Sequence, residues 1–245
     1  MVRLHNPNCG GSLINSRWVL TAGHCVHVGE VGLTLGDHDR TDPDEDKEVQ
    51  TKYIEAIVHP EYKSKVVPQF DIALLKLEED IDFMKHPHIR PLCLPEDANE
   101  DYIGRKVIMS GWGLDQNVIL PFPDKLQYIS GVVQSNLECS KSTWGNPEPH
   151  PIFSCLGNDQ AQCAVSGVPD NILCATFPGG KSCPGDSGGP LVTKTLANTY
   201  DLIGVFSFSG AGCNYSGEGG YARVTQVLSW IKDTVGTDHT DCPRE

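Results

Sequence analysis

Ten cysteines, at positions 9, 25, 93, 139, 155, 163, 174, 183, 213 and 242 of a 245-residue chain, constrain the fold more than any other feature. None stands in a Cys-x-x-Cys pair, the close spacing that a zinc site needs. An even count at scattered positions reads as a disulfide framework made in an oxidising compartment, so an extracellular protein is expected. Yet the chain opens Met1-Val2-Arg3-Leu4-His5-Asn6-Pro7, with no apolar export signal. The simplest expectation is that the true N-terminus is missing from this sequence.

Nineteen Lys and Arg against 32 Asp and Glu leave a net charge of −13, which argues against a phosphate-backbone binder; no nucleic acid is expected as a partner. No apolar run approaches the ~20 residues that cross a bilayer, so no membrane partner is expected either. Hydrophobic residues make up 39% and charged ones 21%, ordinary globular composition. Twenty-five Gly and 17 Pro supply turns densely enough for many short strands. Strands are expected over Ser16–Thr21, Val31–Leu35, Ile54–Val58, Ile72–Leu77, Lys106–Ser110, Leu191–Thr193 and Leu202–Phe206. One helix is expected, where Val224, Val227, Leu228, Ile231 and Val235 recur at helical spacing.

The acidic run from Asp37 to Glu48 reads as a surface loop, and so does the proline-rich stretch from Ser142 to Pro169. Pro91-Leu92-Cys93-Leu94-Pro95 reads as a linker between two halves. The expected division is therefore a first β unit over 1–90 with an incomplete N-terminal strand, a linker over 91–103, a second β unit with its helix over 104–236, and a polar tail over 237–245.

Three segments carry chemistry. Thr21-Ala22-Gly23-His24-Cys25 sets a histidine at a strand end, Asp71-Ile72-Ala73-Leu74-Leu75 sets a carboxylate at the mouth of an apolar strand, and Cys183-Pro184-Gly185-Asp186-Ser187-Gly188-Gly189-Pro190 sets a serine in a glycine-rich loop. A serine hydroxyl is a poor nucleophile until a neighbouring base takes its proton, and imidazole titrates in the right range to do so. A buried carboxylate fixes the imidazole tautomer and stabilises its positive charge. Glycines beside Ser187 allow backbone N–H groups to converge on a developing oxyanion.

With Cys9-Gly10-Gly11-Ser12-Leu13-Ile14, Ser110-Gly111-Trp112-Gly113 and the Trp230 helix, these segments span nearly the whole chain, which resembles the chymotrypsin-like serine proteases of the trypsin family. The resemblance implies an all-β fold of two six-stranded antiparallel β-barrels with a C-terminal α-helix and a site in the cleft between them. It implies His24 as general acid/base, Asp71 as its orienter and Ser187 as nucleophile, with the N–H groups of Gly185 and Ser187 as oxyanion hole. Ser207-Phe208-Ser209 matches the segment that pairs with substrate by strand addition. The implied disulfides are Cys9–Cys25, Cys139–Cys174 and Cys183–Cys213, while Cys155 and Cys163 of the long loop are expected to pair with each other. Cys93 matches a position that tethers a cleaved pro-segment in many relatives, the alternative being a bond to Cys242. The Pro91–Pro95 setting and the acidic loop resemble arthropod clip-domain proteases.

No cofactor is required on this reading, although Asp37 and Glu48 resemble a calcium clamp to which Asp39 or Asp42 adds ligands. Family members are made as zymogens, and activation pairs a freed N-terminus with the aspartate before the nucleophile, here Asp186. The chain as written starts too late for that, so it is expected to be inactive or poorly folded while the full-length product is competent. The specificity pocket is expected to be lined by Lys181 at its floor, Ser182, Ser209 and Gly219. Trypsin-like enzymes carry Asp where Lys181 stands, so a non-tryptic preference, acidic or small polar, is expected. Protein or peptide substrates follow. The alternative is a non-catalytic serine protease homologue acting as a binding or regulatory protein.

Overall fold

Alternating apolar residues bounded by turns close into two barrels. The computed structural model describes residues 1–26, 32–42, 48–63, 68–114, 122–142 (backbone alone from 140), 168–180, 183–209, 218–236 and 242. Six strands make the first barrel: β1 (Val2–Leu4), β2 (Cys9–Leu13), β3 (Trp18–Thr21), β4 (Gly32–Leu35), β5 (Val49–Val58) and β6 (Ala73–Leu77), closed in the order β1-β2-β3-β6-β5-β4. Six more make the second: β7 (Lys106–Gly111), β8 (Gln127–Gln134), β9 (Ile172–Thr176), β10 (Pro190–Lys194), β11 (Tyr200–Ser209) and β12 (Glu218–Arg223), closed as β10-β11-β12-β9-β8-β7. All pairings between these strands are antiparallel, the architecture expected from the resemblance. Closure pairs the strands on both sides along most of their length, which removes the open edges of a flat sheet.

Where strand ends differ from expectation, side chains and turns explain the shift. Expected to start at Ser16, β3 starts at Trp18 because the Asn15 carboxamide oxygen accepts the N–H groups of Arg17 (2.8 Å) and Trp18 (2.7 Å), which makes the preceding residues a turn. In the same way β6 starts one residue late, since Ile72 N–H donates back to Phe70 O at 2.8 Å.

The C-terminal helical segment opens with a 3-10 turn over Val224–Val227 and continues as α2 (Leu228–Val235). Leu228, Ile231 and Val235 are buried against first-barrel residues and against Leu202 and Val205, so α2 packs across both units. A second helix, α1 (Asn136–Ser142), corrects the expectation of one. Its start is a capping box: Ser135 Oγ accepts Glu138 N–H at 3.1 Å, and Glu138 Oε2 accepts Ser135 N–H at 3.3 Å.

Cys9–Cys25, Cys93–Cys242 and Cys139–Cys174 are bonded, and so is Cys183. Cys155, Cys163 and Cys213 lie outside the described residues. The bond to Cys242 corrects the tether expected at Cys93, which has no thiol left for a pro-segment. Next to it the linker pairs with the second barrel: Leu202 N–H donates to Cys93 O at 2.8 Å. Arg40 N–H donates to Asp124 O (2.9 Å) and Leu126 N–H to His38 O (2.8 Å), a second strap between the barrels.

Candidate active site

A strand end delivers each of the two paired groups. His24 sits in a 3-10 turn, Gly23–Cys25, just beyond β3, and the Cys9–Cys25 disulfide pins that turn to β2. Asp71 precedes β6, the neighbour of β3, so register alone brings the two together: Thr21 pairs with Ala73. His24 Nδ1–H donates to Asp71 Oδ2 at 2.7 Å, and His24 backbone N–H donates to Oδ1 at 2.9 Å. Ser207 Oγ–H on β11 adds a third bond, to Oδ2 at 2.5 Å. The Asp71 side chain is 1% exposed, and three donors compensate its burial. The imidazole itself is 35% exposed.

The serine loop comes from the second barrel and docks on the first. Gly10 N–H donates to Ser187 O at 2.6 Å, Gly188 N–H to Phe206 O at 2.9 Å, and Phe206 N–H to Gly189 O at 2.9 Å. At Gly188, φ is +76° and a Cβ would stand 2.3 Å from Thr21 Oγ1 and 2.4 Å from Gly10 O, so only glycine allows this approach to the end of β3, just before His24. Gly185 has φ +100° and the Phe122 ring stands 2.7 Å from where its Cβ would be. Among the described residues the N–H groups of Gly185 and Ser187 donate to nothing, and Ser187 Oγ makes no hydrogen bond to His24. Thus His24, Asp71 and Ser207 form one bonded group, with Ser187 held beside it.

Asp186 lies between the two unengaged N–H groups and points inward, 8% exposed. It accepts Gly113 N–H on Oδ1 (2.8 Å) and Cys183 N–H on Oδ2 (2.9 Å), and no cation reaches it among the described residues. Burial pushes its carboxyl up to about 6 against the pull of those two donors. A carboxyl raised in the folded state contributes stability that is present below pH ~4 and lost as pH rises through about 6. Urea unfolding is expected to show the wild type losing up to about 3 kcal/mol relative to Asp186→Asn between pH 4 and 7. A constant difference across that range would contradict this.

Of the expected substrate contacts, Ser207, Phe208 and Ser209 lie at the end of β11, past Val205, where β10 stops pairing; Phe208 and Ser209 pair with Gly220 and Gly219. Lys181 and Ser182 lie outside the described residues. The bond from Ser207 to Asp71 is the contact that the sequence did not announce, since the two lie 136 positions apart with no signal linking them.

The carboxylates expected to hold calcium have other partners. Arg3 Nε–H donates to Asp37 Oδ2 at 2.6 Å, Asp39 accepts Thr41 N–H and Oγ1–H, and Glu48 Oε1 accepts Gln50 Nε2–H at 2.8 Å. The Arg3 guanidinium occupies only Oδ2 of Asp37, and residues 43–47, between the two carboxylates, lie outside the described residues. Among the described residues, the side chains of Cys9, His24 and Cys25 approach closely enough to share an ion, but the two sulfurs are joined to each other.

With this geometry in view, the comparisons with known proteins agree. The Trypsin family model matches residues 1–231. Serine proteinase stubble of Drosophila melanogaster is 34% identical over 239 residues, covering 93% of this chain and 27% of its own length. Trypsin II-P29 of Gallus gallus is 33% identical (93% of this chain, 79% of its own), and Trypsin 5G1 of Aedes aegypti 36% (93% and 75%). The chain therefore belongs to the trypsin family of serine proteases, whose chemistry needs no cofactor. These matches leave the clip-domain resemblance unconfirmed.

Proposed function

We propose that this protein is a secreted serine endopeptidase that cleaves protein or peptide substrates through an acyl-enzyme at Ser187. His24 Nε2 takes the proton of Ser187 Oγ as the oxygen attacks the scissile carbonyl. The tetrahedral oxyanion is received by the N–H groups of Gly185 and Ser187. The imidazolium then gives its proton to the leaving amine, the C–N bond breaks, and water repeats the sequence to release the acyl group. Asp71 holds the imidazole tautomer throughout.

The observation that carries this reading is the bonded His24–Asp71–Ser207 group with the serine loop docked against its strand. An open bond between nucleophile and base is common in free enzymes and closes with substrate. Two unengaged N–H groups flanking Asp186 support the oxyanion hole. Secretion is supported by the disulfides. The zymogen reading rests on Asp186, a buried carboxylate to which an amino group released by cleavage of a longer precursor would give a counter-charge. Under the rival reading, a non-catalytic homologue, a histidine, an aspartate and a serine at these three positions would have no use.

The specificity reading comes from the family resemblance, which sets Lys181 at the floor of the pocket; an ammonium there would repel Lys and Arg and pair with Asp or Glu. The activated protein, given reporter peptides that differ only at the cleaved residue, is expected to favour acidic or small polar residues over Arg by roughly tenfold or more in kcat/KM. Rapid cleavage after Arg would overturn the specificity, and no cleavage of any peptide would overturn the enzyme assignment.

A further inference from the structure

The residue just before Asp71 has an unusual backbone. Phe70 has φ +49°, in the left-handed region that glycine and asparagine tolerate and a bulky side chain resists. That conformation starts a three-residue turn, closed by Ile72 N–H donating to Phe70 O at 2.8 Å, with Asp71 at its apex. The carboxylate leaves the strand line at that apex and meets His24. Nothing in the local sequence favours the conformation, so tertiary contacts must hold it.

Three rings supply them. The half-buried Phe70 ring stacks on His59, with centroids 4.7 Å apart and planes 7° from parallel. His59 is 7% exposed, and it is fixed from both sides. Its N–H donates to Ile72 O at 3.0 Å, on the far side of the same turn, and its Nδ1 accepts Glu61 N–H at 3.2 Å. Trp230 of α2 meets the His59 ring edge-on at 4.8 Å and 66°. Leu228 and Ile231 anchor α2 in the core, so Trp230 is a rigid backstop. Offset and edge-on ring contacts of this kind are attractive and directional.

We propose that the Trp230–His59–Phe70 stack is a positioning device for Asp71, which locks Phe70 in its left-handed conformation and so aims the carboxylate at His24. The three act through Asp71 and touch no reacting atom. In this way α2, remote in sequence from the site, becomes part of the scaffold of the reaction. The inference rests on the enzyme reading above for its kinetic consequence, but not for its structural one.

The test is a double-mutant cycle read in two ways. With Phe70 present, Trp230→Leu is expected to lower kcat about tenfold with KM within about twofold, the signature of a lost transition-state interaction. It should also weaken the low-field proton resonance of His24 Nδ1–H bonded to Asp71. In a Phe70→Gly background the left-handed conformation needs no clamp, so Trp230→Leu should change neither readout. Phe70→Val, whose β-branch resists that conformation, should reproduce the loss with Trp230 intact and keeps the test decisive if the leucine variant fails to fold. Equal losses from Trp230→Leu in both backgrounds, or an unaltered resonance in Phe70→Val, would overturn the proposal. Because the resonance needs no substrate, a protein without turnover would still answer it, and the two readings fail separately.

Discussion

Ser187→Ala is expected to lower kcat by roughly 10⁶-fold while the fold is retained. The loop owes its shape to backbone bonds, Gly10 N–H to Ser187 O and Gly188 N–H to Phe206 O, and to the Asp186 cradle; none of these uses the Ser187 hydroxyl. Removing that hydroxyl therefore removes the nucleophile and little else. A residual acceleration of roughly 10³–10⁴ over water should survive, because the oxyanion N–H groups and substrate contacts remain. The expected picture is an unchanged melting temperature beside lost turnover. A variant that kept a tenth of wild-type activity would place the nucleophile elsewhere.

Asp71→Asn is the second large effect, expected to cost roughly 10⁴-fold in kcat, the magnitude seen for this change in a relative of the same family. Asp71 now accepts three bonds on two oxygens, from His24 N–H, His24 Nδ1–H and Ser207 Oγ–H. Asparagine offers one oxygen and one NH₂ group, so at least one of those donors would face another donor. If the NH₂ takes the place of Oδ2, His24 can keep the contact only by turning Nδ1 into an acceptor, which puts the proton on Nε2. That nitrogen then cannot accept from Ser187. KM should change little, because substrate does not touch Asp71. Loss of kcat by less than about tenfold would mean that the carboxylate is a structural anchor between the barrels rather than part of the reaction.

Much of this site was legible in the linear sequence, because the chemistry is written in contiguous words around His24, Asp71 and Ser187 and each word ends a strand or fills a tight turn. Strands with clear apolar runs, such as β6 and β11, were legible for the same reason. Two of the unread ones have physical reasons. Glu218–Arg223 is a buried strand disguised by two glycines, one of which the Phe208 ring covers. Gln127–Gln134 carries mostly solvent-facing residues at its start, so its alternation is weak. Helix α1 did announce itself, through Ser135 and Glu138 in capping-box spacing, but the prolines that follow hid the signal. Contacts across long separations left no trace: Ser207 on Asp71, Arg3 on Asp37 and the rings behind Phe70.

One measurement tests the account most directly. The activated protein is treated with a fluorophosphonate, digested and mapped by mass. A single phosphonyl adduct on the peptide that contains Ser187, absent when His24 is replaced by alanine, is the predicted result, since the reagent reads a serine whose proton a neighbouring base removes. Full activity in the reporter assay with Ser187 unmodified, or an adduct that persists without His24, would contradict it.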